Sequence, residues 1–150
     1  MKITTIIGAR PQFIKAKMIS LAIKKCSIGA NGIKEVLINT GQHYDYNMAG
    51  QFFDGFLDFQ PEYNLGIGSH SREKQIFVMV RKIKEVFQIE KPDVVIVYGD
   101  TNSTLAGARA ANSLKIKVAH IEAGLRSYDM NMPEEVNRLE TDKLSHYLFC

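Results

Sequence analysis

Residues 93–108 read Asp-Val-Val-Ile-Val-Tyr-Gly-Asp-Thr-Asn-Ser-Thr-Leu-Ala-Gly-Ala. In the strand-like run from Asp93 to Tyr98, Val94 to Val97 are continuously β-branched, which marks a strand buried on both faces rather than one with a wet side. Gly99-Asp100 breaks it, and an alanine-rich helix is expected from Thr101 to Leu114. A strand, a glycine turn and a helix in that order form the repeating unit of a parallel α/β sheet.

The same alternation extends outward on both sides. Towards the N-terminus, Ile3 to Ile7 reads as a strand, Pro11 to Lys25 as a helix and Glu35 to Asn39 as a second strand. Pro11 suits a first helical turn, where its missing N–H costs nothing. Tyr46 to Phe56 has helical spacing, and Phe52, Phe53, Phe56 and Phe59 read as a packing stripe. Pro61 to Gly68 reads as a loop with a short extended piece. Ser71 to Gln88 is a helix, with Ile76, Val80, Ile83, Val86 and Phe87 on one face. Towards the C-terminus, Val118 to Ile121 is a strand and Glu134 to Ser145 a helix. Tyr147-Leu148-Phe149-Cys150 reads as the start of a buried strand, so more chain is expected beyond it. The fold class is α/β, a parallel sheet with helices on both faces, and residues 1–150 form a single domain.

Composition narrows the partners. With 19 basic and 16 acidic residues, the net charge of +3 is spread along the chain, so nucleic acid is not the favoured partner. No run approaches the roughly 20 apolar residues of a membrane span. Cys26 and Cys150 fit neither a disulfide framework nor metal spacing, and the four histidines are scattered, so no metal site is expected. A cytoplasmic location is the default.

Polar residues collect after the strands, and ligands of doubly wound sheets sit outside the carboxyl ends of strands. Arg10 stands at a helix mouth with Lys15 one turn in. Together with backbone N–H groups and the helix dipole they suit a phosphate, although Gly8 could be a plain turn and Lys15 a solvated residue. The segment is neither G-x-G-x-x-G nor a P-loop, so neither NAD nor a kinase-type ATP site is indicated. Asp100 could cap the helix after it, or Thr101 could, which would free Asp100 for the cleft. Glu122 could face the cleft or pair with Arg126. One of Glu134 and Glu135 could be there only to complement the helix dipole. His120 could face the interior, whereas His70 and His146 are expected at the surface.

Five ordered motifs carry a resemblance: GARPQFIK (8–15), TGQHYDYNM (40–48), KPDVVIVYGDTNSTLAGA (91–108), HIEAGLRS (120–127) and MPEEVNR (132–138). The chain resembles the N-terminal domain of non-hydrolysing UDP-N-acetylglucosamine 2-epimerases over essentially its whole length. That resemblance implies the N-terminal half of a glycosyltransferase-B type enzyme, with two Rossmann-like domains, a C-terminal nucleotide-binding domain beyond this chain, and a homodimer when full length. It implies Asp100, Glu122 and Glu134 as acid/base carboxylates. Arg10 and Lys15 would contact the phosphates, with Arg126 also a substrate-binding candidate. Gln42 and His43 match a motif that touches an activating second substrate molecule in some bacterial relatives, although Tyr44 and Asp45 depart from them. Many relatives carry Thr and Glu where this chain has Ala9 and Gln12; both cations are kept. The implied reaction interconverts UDP-N-acetylglucosamine and UDP-N-acetylmannosamine by UDP elimination and re-addition, with no metal or redox cofactor. The alternatives are a hydrolysing epimerase releasing N-acetylmannosamine and UDP, a glycosyltransferase, or a non-catalytic anion-binding domain.

Overall fold

The computed structural model describes residues 1–27, 32–42 and 60–150. Among these described residues there are six parallel strands: β1 (Lys2–Ile7), β2 (Lys34–Asn39), β3 (Tyr63–Asn64), β4 (Val94–Tyr98), β5 (Lys117–Ile121) and β6 (Tyr147–Phe149). They lie side by side in the order β3-β2-β1-β4-β5-β6. The helices are α1 (Arg10–Cys26), α2 (Arg72–Glu90), α3 (Asn102–Ser113) and α4 (Pro133–Leu144). Chain order therefore runs outward one way from β1 and the other way from β4. The gap between their carboxyl ends is the switch point where a ligand crevice opens.

The apolar run of β4 is continuous because both sides of it are covered. Val95 and Val97 join Ile6 and Ile38 against α2 and α3, where Ile76, Met79, Ile83, Phe87 and Leu105 complete one core. Ile96 and Tyr98 join Ile3, Ile7 and Leu37 against α1, whose Phe13, Ala16 and Ile23 complete the other. Successive strand residues point to opposite faces, so one strand feeds both cores. Each fully buried branched side chain stabilises by about 1.5–3 kcal/mol.

The expected elements that fall on described residues are present with small shifts of boundary, and the extended piece between 61 and 68 is β3. The strand expected to be buried at the C-terminus is not buried. Tyr147, Leu148 and Phe149 are all exposed, because β6 pairs only with β5 at the edge of the sheet. The expected helix from Tyr46 to Phe56, the phenylalanine stripe from 52 to 59 and His43 lie outside the described residues.

Candidate active site

The first turn of the site is built around Gln12. Ala9, at the N-cap of α1, offers no side-chain oxygen, and Gln12 fills the gap. Its Oε1 accepts from the backbone N–H of Gly8 at 2.8 Å and of Ala9 at 3.0 Å. Its Nε2 reaches the carbonyl of Tyr98 at 2.8 Å and the hydroxyls of Thr101 and Thr104 at 2.9 and 3.0 Å. One buried carboxamide thus ties the β1 turn to the end of β4. A Cβ at Gly8 would overlap Ser103 Oγ and Thr40 Oγ1, so only glycine lets the two loops approach this closely. The backbone amides expected to cradle a phosphate at this helix mouth are therefore partly committed, since those of Gly8 and Ala9 already donate to Gln12.

Across the crevice, Thr101 caps α3, accepting from the N–H of Thr104 at 3.3 Å. That resolves the capping alternative and leaves the Asp100 carboxylate for another partner. Arg138 of α4 supplies it, donating from Nε at 3.0 Å to Asp100 Oδ2, with its Nη2 2.9 Å from the same oxygen. Gly99 makes the turn at φ +62.

Glu122 has φ +70, a left-handed conformation that costs a non-glycine residue on the order of 1–3 kcal/mol. Its Oε2 comes within 3.3 Å of where a Cβ on Gly99 would stand. The partner of Glu122 is Lys15, not Arg126. Arg126 instead donates to Asp142 of α4 at 2.6 Å. The left-handed turn at Glu122 accompanies this parting: its carboxylate meets α1, while Arg126 meets α4.

Lys15, Asp100 and Glu122 line a single hollow of about 240 Å³ with Pro11, Gln12, Tyr98, Gly99 and Thr101. The side chains of Lys15, Glu122 and Asp100 keep 40%, 39% and 33% of their accessibility, enough to meet a ligand while paired. Arg10 is exposed at the first residue of α1, beside Pro11.

The two adjacent acids of α4 separate cleanly. Glu135 is buried and accepts from the N–H groups of Ser127 at 3.0 Å and Tyr128 at 3.2 Å, and from Arg138 at 2.6 Å. The Ser127 amide above all, with those of Tyr128 and the Arg138 charge, holds its carboxyl below the usual range. Glu135 is the anchor of the 127–128 loop, and Glu134 is exposed. Gln42 accepts from Ser103 N and Oγ at 2.9 and 2.7 Å, so it caps α3 beside the crevice. Two contributors were not singled out from the sequence, Gln12 and Arg138, whereas His120 faces the interior as expected, against the Gly99 carbonyl. Arg138 carried a usable signal, since it lies one helical turn after Glu134.

Residues 27–150 match the family model described as UDP-N-acetylglucosamine 2-epimerase. The chain belongs to this family. It is 54% identical over 149 residues to a UDP-N-acetylglucosamine 2-epimerase homolog of Methanococcus maripaludis, covering 99% of this chain and 40% of that protein. It is 51% identical over 150 residues to the UDP-2,3-diacetamido-2,3-dideoxy-D-glucuronate 2-epimerase of Pseudomonas aeruginosa, covering 100% of this chain and 41% of that one. Among solved structures, the UDP-GlcNAc 2-epimerase of Methanocaldococcus jannaschii in complex with UDP-GlcNAc and UDP superposes with a TM-score of 0.92 at 49% identity. That match covers all of this chain and 40% of the other. The chain thus spans about two fifths of the length of the relatives it matches.

Proposed function

We propose that this chain is the N-terminal domain of a two-domain, non-hydrolysing 2-epimerase that interconverts UDP-N-acetylglucosamine and UDP-N-acetylmannosamine. The observation that carries the reading is the meeting of Lys15, Asp100 and Glu122 around one hollow at the sheet's switch point. The C2 proton of the sugar is not next to a carbonyl, so removing it alone would leave an unstabilised carbanion. Elimination avoids this: a carboxylate takes the C2 proton, the C–H pair becomes the C1=C2 bond, and the C1–O pair leaves with UDP. Re-addition reverses each step, with the proton delivered to the opposite face of C2. Two acid/base groups on different sides are required, and Asp100, Glu122 and Glu134 are the candidates. Each such group contributes typically about 10²–10⁴-fold. Arg10 and Lys15 take up the charge that develops on the diphosphate. Gln42, His43 and Arg126 are the further substrate-binding candidates. The full-length enzyme works as a homodimer, in the cytoplasm.

In the full-length protein, Asp100→Asn, Glu122→Gln and Glu134→Gln are each expected to slow turnover by about 10²–10⁴-fold with folding preserved. Solvent deuterium should enter C2 during the wild-type reaction. Near-normal rates in all three variants would defeat the assignment. Free N-acetylmannosamine as the main product would point to the hydrolysing reaction. The 150-residue piece alone is expected to be inactive, since half of the cleft lies elsewhere.

The Pseudomonas relative supports a second substrate, a UDP-2,3-diacetamido uronic acid, with the same chemistry at C2. Parallel assays with both sugars decide between them.

A further inference from the structure

His120 is the fourth residue of β5 and its side chain is wholly buried. Both ring nitrogens face acceptors. Nε2 lies 2.7 Å from the carbonyl oxygen of Gly99, and Nδ1 lies 2.7 Å from Asp142 Oδ1. A peptide carbonyl has no hydrogen to give, so the short contact at Nε2 needs a hydrogen on the ring. Asp142 is in the same position. Its Oδ2 accepts from Arg126 at 2.6 Å and from the N–H of Gly124 at 3.2 Å. Burial disfavours the charge on Asp142, but the bonds from Arg126, His120 and Gly124 outweigh it and keep the carboxyl below its ordinary value. Nδ1 therefore faces an ionised carboxylate and needs a hydrogen too. Either neutral tautomer would set a bare ring nitrogen against an acceptor at 2.7 Å.

We propose that His120 is a positioning residue held as a doubly protonated cation, tying the Gly99 carbonyl to the Asp142 carboxylate. Gly99 is the residue before Asp100, and Glu122 follows His120 by two, so both carboxylates are carried on backbone that this ring braces. His120 does not line the hollow. The charged groups on the elements packed around it are Asp142 and Arg138 on α4, Arg126 on the following loop, Glu122 with its partner Lys15, and Asp100 with its partner Arg138. Within the buried cluster, His120 and Arg126 share the single negative charge of Asp142. The cluster therefore keeps a net positive charge behind the two acids of the site.

The kinetic part of this inference rests on the epimerase reading; the protonation state does not. In the full-length enzyme, histidine labelled with ¹⁵N and assigned by loss of signal in His120→Gln should have hydrogens on both ring nitrogens at pH 7.5. A bare ring nitrogen would overturn the proposal, and that measurement needs only the wild-type fold and one silent residue. If His120→Gln does not fold, Asp142→Asn serves for assignment through the change in the Nδ1 signal. In the epimerase assay His120→Gln should lower kcat between about tenfold and 100-fold, the scale of a small misplacement of catalytic groups. KM should change less than about threefold, and the acid limb of the kcat–pH profile should move to higher pH as the cation is lost. A variant that loses thermal stability but keeps kcat and the acid limb would overturn the positioning role. Wild-type enzyme with both nitrogens protonated but no epimerisation would instead count against the function proposed above.

Discussion

At the amino-terminal edge of the sheet, Lys2 donates from its backbone N–H to Asp93 at 2.7 Å, and from Nζ to the Glu90 carbonyl at 2.6 Å and Oε2 at 3.0 Å. The Tyr63 hydroxyl takes the other Glu90 oxygen at 2.6 Å. At the carboxyl edge, Lys15 meets Glu122 and Arg138 meets Asp100. The two edges are similar in charge and differ in what the charge faces. Glu90 has a donor on each oxygen and its group fastens the end of α2 to the sheet. Asp100 and Glu122 stay half-exposed over a hollow. Backbone strain alone does not separate the edges, since Lys91 also has positive φ. Lys91, however, is the left-handed C-cap of α2, a common way to end a helix. Glu122 ends a strand, where no such requirement exists. At the carboxyl edge the Lys15–Glu122 pair, the left-handed turn at Glu122 and the hollow coincide.

The sharpest test of that contrast is kinetic. In the full-length protein, Glu122→Gln should cost about 10²–10⁴-fold in turnover, whereas Glu90→Gln should leave the rate within about twofold. A comparable loss from both would erase the distinction. Next in size is the joint between the β1 and β4 loops. Gly8→Ala should destabilise by about 1–3 kcal/mol through overpacking against Thr40 and Ser103. Gln12→Ala should cost a similar amount, because the buried amides of Gly8 and Ala9 lose their acceptor. Urea midpoints at constant m-value would measure both, and an unchanged midpoint for Gln12→Ala would remove it from the centre of the site.

Acid sensitivity discriminates further. Glu135, Asp142 and Glu90 all have folded-state values below their ordinary ones: Glu135 first through the Ser127 amide, Asp142 through Arg126 and His120 against its burial, and Glu90 first through the Tyr63 hydroxyl and then Lys2. A lowered folded value gives stability that is complete above about pH 4.5–5 and is lost as pH falls through the folded value. Melting temperature should therefore fall below about pH 4.5, and less steeply in Glu135→Gln. An identical acid slope in that variant would contradict the anchoring role of Glu135. The smallest effect belongs to the amino-terminal edge: breaking the Lys2–Glu90 pair should cost no more than about 1 kcal/mol, and less at high salt.

How much of this was legible beforehand follows from the range of each interaction. The strands and helices were readable because β-branched runs, alanine-rich stretches and helical spacing act over a few residues. Lys15, Asp100 and Glu122 could be named because each follows a strand at the edge where ligands bind. The partner of Glu122 could not, since Lys15 is 107 positions away and Arg126, only four away, is taken by Asp142. Likewise, Glu134 and Glu135 are equivalent to the helix dipole, and only the loop at Ser127 and Tyr128 tells them apart. Gln12 looked like a minor departure from a motif, yet its five contacts join two strand ends.

By itself, then, the sequence determined the α/β alternation, the edge at which the chemistry collects and the residue types available for it, because these depend on local periodicity and on which residues close each strand. Tertiary structure decided which acid pairs with which cation, which glutamate is buried and why His120 sits between two acceptors. Those outcomes depend on distances between segments far apart in the chain, and only the packed sheet brings them within hydrogen-bond reach.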